Sequence, residues 1–429
     1  MQRTIEYIKQ FLTRDSNVTR YVGYTTDKTQ WPKYKVVIVP SNFFNSDIYG
    51  TSLSMPSLPL QEIEGIPILF GTPQIEVLDS TIICHADIIA SSYFLLSRYE
   101  EYINPSSNRD IHGRYIGKKS IPYLGNFIHR PIVDEYATLL HNLLQQVGIF
   151  TPPIPQKINH IYLTHDIDSI TNYRRLRGLF GGIYRAIFHR TDSLPTILKS
   201  LLNINNDPAY TFPWLLQQDN RLPQASQIYF IKSPRRAIGF DRPVYNLQGH
   251  NFHHLIKEIE SKSPKAIFGL HSSYQSGSNP DLIHDEQRLL QYAIPQQDIR
   301  TVRHHYLRAL QPTDMEAIID AHITDDFTMG YADIAGFRLG TCRSVYFINP
   351  ATRLIRPLTL HPLTIMDCSL DEPKYMNLSY SQALSYAKEL IHQTKLYNGD
   401  LCLLWHNTRF SPYNYHYKLY STIIDSLCK

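Results

Sequence analysis

No Cys-x-x-Cys pair occurs anywhere in the 429 residues, and the five cysteines (Cys84, Cys342, Cys368, Cys402, Cys428) are odd in number and widely scattered. That excludes a zinc ribbon and a disulfide framework, and fits reduced thiols in a cytoplasmic protein. Uninterrupted apolar runs of about 18 residues are missing, so no membrane span is expected. The N-terminal stretch Met1–Ile8 lacks the long apolar core of a signal peptide. It reads as a short amphipathic helix, with Ile5, Ile8 and Leu12 on one face. Dense Lys/Arg tracts are also absent, and a net charge of +4 is small for this length, which argues against a nucleic-acid binder. Arg174, Arg175, Arg177 and Arg185 form a modest basic cluster. It reads as a solvated helix face, with a site for an anionic carrier or a membrane surface as the sharper alternative. There is no internal repeat and no low-complexity segment.

What is present is ordinary for a soluble globular protein: 43% hydrophobic and 19% charged residues. Thirty tyrosines and 27 prolines suggest many ordered loops, a look common among sugar-handling proteins. The length implies two or three domains, single barrels being the known exception. Residues 1–150 form one α/β region, with strands at Lys35–Val39 and Ile66–Phe70 and helices at Asp87–Tyr102 and Tyr136–Val147. Thr151-Pro152-Pro153-Ile154-Pro155 breaks regular structure and serves as a linker. In residues 151–429 short apolar strands alternate with helices. The strands are His160–Thr164, Gln227–Ile231, Ala266–Leu270, Thr301–Arg303, Thr324–Phe327 and Leu401–Trp405. The helices are Phe252–Ser261, Asp281–Tyr292, Pro312–Ala321 and Ser379–Thr394. Such alternation predicts a parallel β/α architecture, whose chemistry sits at the C-terminal ends of the strands.

Four of these strands end in reactive side chains. The first, Ile161-Tyr162-Leu163-Thr164, runs into His165-Asp166-Ile167-Asp168. Residues i and i+2 of a strand share a face, so Asp166 and Asp168 point into one space. Buried carboxylates need a cation or hydrogen bonds, which suggests a metal ligand beside a general base. An Asp-rich turn capping the next helix is the plainer reading. The other ends carry His271-Ser272-Ser273-Tyr274-Gln275, Arg303-His304-His305-Tyr306-Leu307-Arg308, and His406-Asn407. A single histidine there is ordinarily structural; four such ends gathered at one face suit Zn²⁺ or another first-row divalent ion.

The order and spacing of these motifs resemble polysaccharide deacetylases of the NodB-homology type, carbohydrate esterase family 4, over residues 158 to 410. The resemblance implies a distorted (β/α) barrel of NodB type, preceded here by a smaller α/β domain. It assigns Asp166 as catalytic base, Asp168 and His271 as metal ligands, Arg303 as the residue orienting the base, and His406 as general acid. The segment Tyr93-Phe94-Leu95-Leu96-Ser97-Arg98-Tyr99-Glu100-Glu101 is similar to one found in a bacterial subgroup. So are the strings Gly269-Leu270-His271, His305-Tyr306-Leu307-Arg308, Met329-Gly330-Tyr331-Ala332 and Leu404-Trp405-His406-Asn407.

One position departs from the family pattern. The second histidine of the His-Ser/Thr-x-x-His motif falls at residue 275, which is glutamine. Three readings stand open: His305 completes the ligand set, since it shares a strand face with Arg303; Gln275 or water fills the place; or the site has lost its activity. Tyr274, Gln275, Tyr331, Arg338 and Trp405 are expected to contact sugar. The Gly-spaced stretch around Tyr331 and Arg338 is no phosphate loop, because no Gly-Lys-Ser/Thr follows. Asp325-Asp326 reads as a turn cap, and Asp367 as a residue that could hydrogen-bond into the site. Arg98, Glu100, Glu101, Asp110, His112 and Arg114 read as a buried ion-pair network at a domain interface.

The function implied by the resemblance is metal-dependent removal, with a divalent ion such as Zn²⁺, of N-acetyl or O-acyl groups from an amino sugar of a cell-envelope polysaccharide or its precursor. Two alternatives stand beside it. One is a catalytically silent carbohydrate-binding or scaffold protein that keeps the fold. The other is a hydrolase of non-sugar C–N bonds. Fold alone does not choose among them.

Overall fold

The computed structural model describes residues 1–189, 192–236, 238–242, 244–410 and 414–428. The first 150 residues build a four-stranded sheet from β1 (Val22–Tyr24), β2 (Val36–Ile38), β5 (Gly71–Leu78) and β6 (Thr81–Ala86), in the order β1-β2-β6-β5. A small hairpin, β3 (Gln61–Ile63) and β4 (Ile66–Ile68), stands beside it. The central strands β2 and β6 are apolar and buried, whereas β5 pairs antiparallel at the edge and is mostly exposed. Helix Ile132–Gln146 packs an apolar face that includes Tyr136, Leu140 and Leu144 against helices Gln2–Thr13 and Ile88–Leu96 and strand β4.

The rest of the chain forms a nine-stranded sheet. Its strands are β7 (His160–Ile167), β8 (Ser226–Lys232), β9 (Ile267–Ser272), β10 (Thr301–His304), β11 (Asp325–Asp326), β12 (Val345–Asn349), β13 (Leu354–Leu360), β14 (Ile365–Met366) and β15 (Asp400–Leu404). The order is β12-β13-β11-β10-β9-β8-β7-β15-β14, all parallel except the β12–β13 pair. Strands β7, β8, β9 and β15 are buried almost throughout, as parallel strands covered on both faces must be. The sheet curls strongly. Strands β13 and β14 lie at opposite ends of the parallel run, yet only residues 361–364 separate them. Such a link spans at most roughly 18 Å. It reaches both sides: His361 N–H donates to Asp326 of β11 and Thr364 N–H donates to Cys402 of β15.

Several expected elements differ. The predicted helix Asp87–Tyr102 is two helices, Ile88–Leu96 and Tyr99–Ile103, broken where Arg98 adopts a left-handed φ of 56°. The expected helix Pro312–Ala321 begins as a 3-10 turn and becomes α-helical only over Glu316–Asp320. Among the described residues no helix is long and apolar enough to cross a membrane.

One apolar core runs through both sheets, from Ile8 to Ile424. Buried ion pairs cross the same boundary. Glu101 lies between Arg98 at 2.5 Å and Arg338 at 2.7 Å, and Arg98 Nη2 also donates to the Ala309 carbonyl at 2.6 Å. Arg114, held by Asp110, donates to the Tyr306 carbonyl at 3.1 Å. The bend at Arg98 therefore serves a contact that local sequence does not reveal.

Candidate active site

The alternation of β7 builds the centre of the site. His165 points away from it, bonding to the Trp405 carbonyl at 2.9 Å and to buried Asp219 at 3.0 Å. Asp166 and Asp168 point the other way, and His406 Nε2 lies 3.8 Å from the first and 4.0 Å from the second. Arg303, wholly buried in β10, places Nη1 2.9 Å from Asp166 Oδ1 while Nε donates to the Phe327 carbonyl. Burial works against the Asp166 carboxylate, but the Arg303 guanidinium 2.9 Å away favours the ionised form and holds its pKa below the usual value.

His271, the last residue but one of β9, has a defined tautomer. Its Nδ1 lies 3.0 Å from the Arg303 carbonyl, which can only accept, so Nδ1 carries the proton and Nε2 presents a lone pair. Burial pushes the imidazole down to about 4, so it is neutral. That lone pair faces two carboxylates, Asp166 Oδ2 at 3.5 Å and Asp168 Oδ1 at 3.9 Å. His305 lies just past β10 and places Nε2 3.5 Å from Asp168 Oδ1. Behind it, Nδ1 is 3.2 Å from Asp241 Oδ1.

Asp168, His271 and His305 thus offer three donor atoms within 4.8 Å of one another. Asp168 Oδ1 and His271 Nε2 are buried and make no hydrogen bond. A lone pair turned toward carboxylates, with orphaned buried donors beside it, is the environment a cation relieves. The residues present therefore fit a divalent metal ion. Lys232, at the end of β8 and in register with His271, also enters this space, with Nζ 3.3 Å from Asp168 Oδ1.

The fourth strand end supplies an acid–base pair. Fully buried Asp367 accepts from the His406 backbone N–H at 2.8 Å and from its Nδ1 at 2.8 Å. Burial opposes the imidazolium, but Asp367 outweighs it and raises the His406 pKa well above 6.5. Nε2 is left facing Asp166 and Asp168. Asp367, Cys368 and His406 are also close enough to hold an ion, but the Asp367–His406 hydrogen bonds already engage their donors. Asp166, Asp168, Lys232, His305 and His406 line a cleft of about 340 Å³, walled by Phe240, Tyr306, Tyr375, Arg409 and, from the first 150 residues, Arg114.

The five expected sugar contacts do not line this cleft. Trp405 alternates with His406 and is wholly buried against Tyr420 and His416. Arg338 is consumed by Glu101 and by the Gly330 carbonyl, with its guanidinium over the Tyr331 ring. Tyr331 itself is buried with Tyr115, Ile128 and Ile334. Tyr274 stacks under Arg308 and against Phe240, its hydroxyl 3.2 Å from His112 Nδ1. Gln275 turns to the Arg236 carbonyl at 3.2 Å and to Asp241 at 3.5 Å.

Two residues at the centre were not foreseen. Lys232 had a signal, a charged residue closing an apolar strand. Asp241 had none, since it sits in a loop 64 positions from His305.

Residues 2–149 match a family described as "Family of unknown function (DUF7033)". No curated protein matches the chain at a significant level. Among solved structures, the chain is similar to one from Mycobacterium smegmatis described as a "putative polysaccharide deacetylase". Identity is 11%, the match covers 65% of this chain and 88% of that one, and the TM-score is 0.39. A likeness that loose establishes neither fold nor chemistry, which rest on the side chains themselves.

Proposed function

We propose that the chain is a metal-assisted hydrolase that removes an N-acetyl or O-acyl group from an amino sugar of a cell-envelope polysaccharide or its precursor. The observation that carries this is the meeting of Asp168, His271 and His305 with the Asp166–Arg303 and Asp367–His406 pairs at one cleft, which Asp166, Asp168, His305 and His406 line. The motif resemblance to NodB-type deacetylases supplies the substrate class. In this reading residues 1–150 are an accessory domain and residues 151–429 a NodB-type barrel.

Asp168, His271 and His305 would hold the ion, and a carboxylate with two imidazoles suits Zn²⁺. A bound ion of this kind polarises an acyl carbonyl and makes its water more acidic. Asp166, kept ionised by Arg303, takes the proton of the attacking water. His406 carries a proton on Nε2 and delivers it to the departing amine or alcohol, while Asp367 holds the ring through Nδ1. Arg114, Tyr306 and Tyr375 shape the cleft mouth.

The test is acetate release from N-acetylglucosamine oligomers. Asp166→Asn and His406→Ala should each lower it by about 10²- to 10⁴-fold with the fold intact. Undiminished release by both variants would contradict the assignment.

One observation favours a second reading, a silent carbohydrate-binding protein. The Lys232 ammonium already stands 3.3 Å from Asp168 and can act as the cation of the cluster. In that case glycan binding persists, and wild type neither binds metal nor releases acetate.

A further inference from the structure

Among the described residues, the segment between β7 and β8 carries a concentration of exposed apolar side chains that the site does not explain. It leaves the C-terminal end of β7, the end that bears Asp166 and Asp168, and forms helix Leu176–Tyr184, a π-helical turn Arg185–His189, and helix Leu194–Leu202. Its inner side is well seated. Gly182 lies against the Tyr173 ring, Ile197 and Ser200 are buried, and Arg174 caps the carbonyls of Ser200 and Leu201 at 2.6 and 3.0 Å. Arg185, at the start of the π turn, pairs with Asp192 ahead of the second helix at 2.9 Å.

The outer side is different. Leu176, Phe180 and Tyr184 follow the four-residue spacing of one helical face, and Leu194 and Leu198 repeat it on the second helix. With Phe188 between them, these six side chains are 45% to 75% exposed. An apolar patch of this kind on a seated element marks an interaction surface. Its charge identifies the partner. Residues 174–203 hold six Arg/Lys against one Asp, an excess of five in a chain whose total net charge is +4. Arg177 and Lys199 are exposed beside the apolar face.

Aromatic and aliphatic side chains on one face, flanked by basic residues, form the pattern of a helix that lies in the bilayer interface and is drawn there by anionic lipid. We propose that this helical hairpin docks the protein onto an anionic lipid bilayer. Docking would set the strand-end face, with its cleft, toward the membrane surface. The inference is independent of the hydrolase reading, because its test reads lipid binding and not turnover.

The test is co-sedimentation of the full chain with vesicles of phosphatidylglycerol and phosphatidylcholine, compared with phosphatidylcholine alone. The protein should bind the anionic vesicles, bind the neutral ones weakly, and be released by salt. Phe180→Glu combined with Leu198→Glu should abolish binding, and Arg177→Gln should weaken it about five-fold. A thermal transition unchanged from wild type shows that the variants fold; the milder pair Leu176→Ser and Phe188→Ser serves if the glutamates disturb it. Failure of wild type to bind anionic vesicles would overturn the proposal, as would equal binding by the glutamate variant. So would a light-scattering dimer that the glutamates dissolve in a protein without vesicle affinity, since the face would then join two copies of this chain.

Discussion

Asp241 Oδ1 lies 3.2 Å from His305 Nδ1, so a buried carboxylate backs the imidazole whose Nε2 faces Asp168. The same oxygen accepts the Tyr274 backbone N–H at 2.6 Å, and the other carboxylate oxygen lies 3.5 Å from Gln275 Nε2. Gln275 thus braces the residue behind His305, the proposed ligand, and is not itself turned toward the cluster. A carboxylate behind a ligating histidine fixes its tautomer and raises its basicity, and losing it typically weakens metal binding 10- to 100-fold. Asp241→Asn should therefore bind zinc about 10- to 100-fold more weakly, measured by chelator competition. Unchanged affinity would leave Asp241 as a cap for Tyr274 only.

Asp367 stands in the same relation to His406. Asp367→Asn can keep the backbone contact but cannot hold an imidazolium as the carboxylate does. Acetate release should fall by roughly 10²- to 10⁴-fold, while metal content stays at the wild-type level. Loss of metal in this variant would mean that Asp367 belongs to the ion site.

The Arg98–Glu101–Arg338 triad predicts an acid-sensitive core. Burial opposes ionisation of Glu101, but Arg338 and Arg98 bring its pKa down to about 2 from 4.5. A carboxylate depressed in the folded state contributes stability above its unfolded pKa and loses it as pH falls through the folded one. Roughly 3 kcal/mol should be present above about pH 4.5 and fade toward about pH 2. Neighbouring Glu100 works the other way. Burial raises it to about 7, so its contribution declines as pH rises from about 4.5 through about 7. Urea midpoints of wild type and Glu101→Gln across this range separate the two. The variant should be less stable at neutral pH, because two arginines lose their shared partner. It should also lack the steep acid limb. Parallel curves for both proteins would contradict the account.

Much of the cluster was legible from the chain because strand ends converge. Asp166, Asp168, His271, Arg303, His305 and His406 each follow or close an apolar strand, and a parallel sheet brings such residues to one face. Trp405 shows the limit of reading residues as neighbours. It precedes His406, and strand alternation sends it to the opposite side. Arg338 looked like a free loop residue, yet its partner Glu101 lies 237 positions away. The hairpin β12–β13 and the helices between Leu176 and Leu202 escaped the pattern for other reasons. The inner hairpin strand β13 is half-exposed, and its pairing with β12 shifts register. The helices contain glycines and a π turn, and they turn apolar residues outward.

The most direct test of the central claim is the metal content of the purified full chain after incubation with zinc, for wild type, His271→Ala, His305→Ala and Gln275→Ala. The account predicts about one ion per chain in wild type and in Gln275→Ala, and loss in both histidine variants. An ion retained in His305→Ala but lost in Gln275→Ala, or no ion in wild type at all, would contradict it.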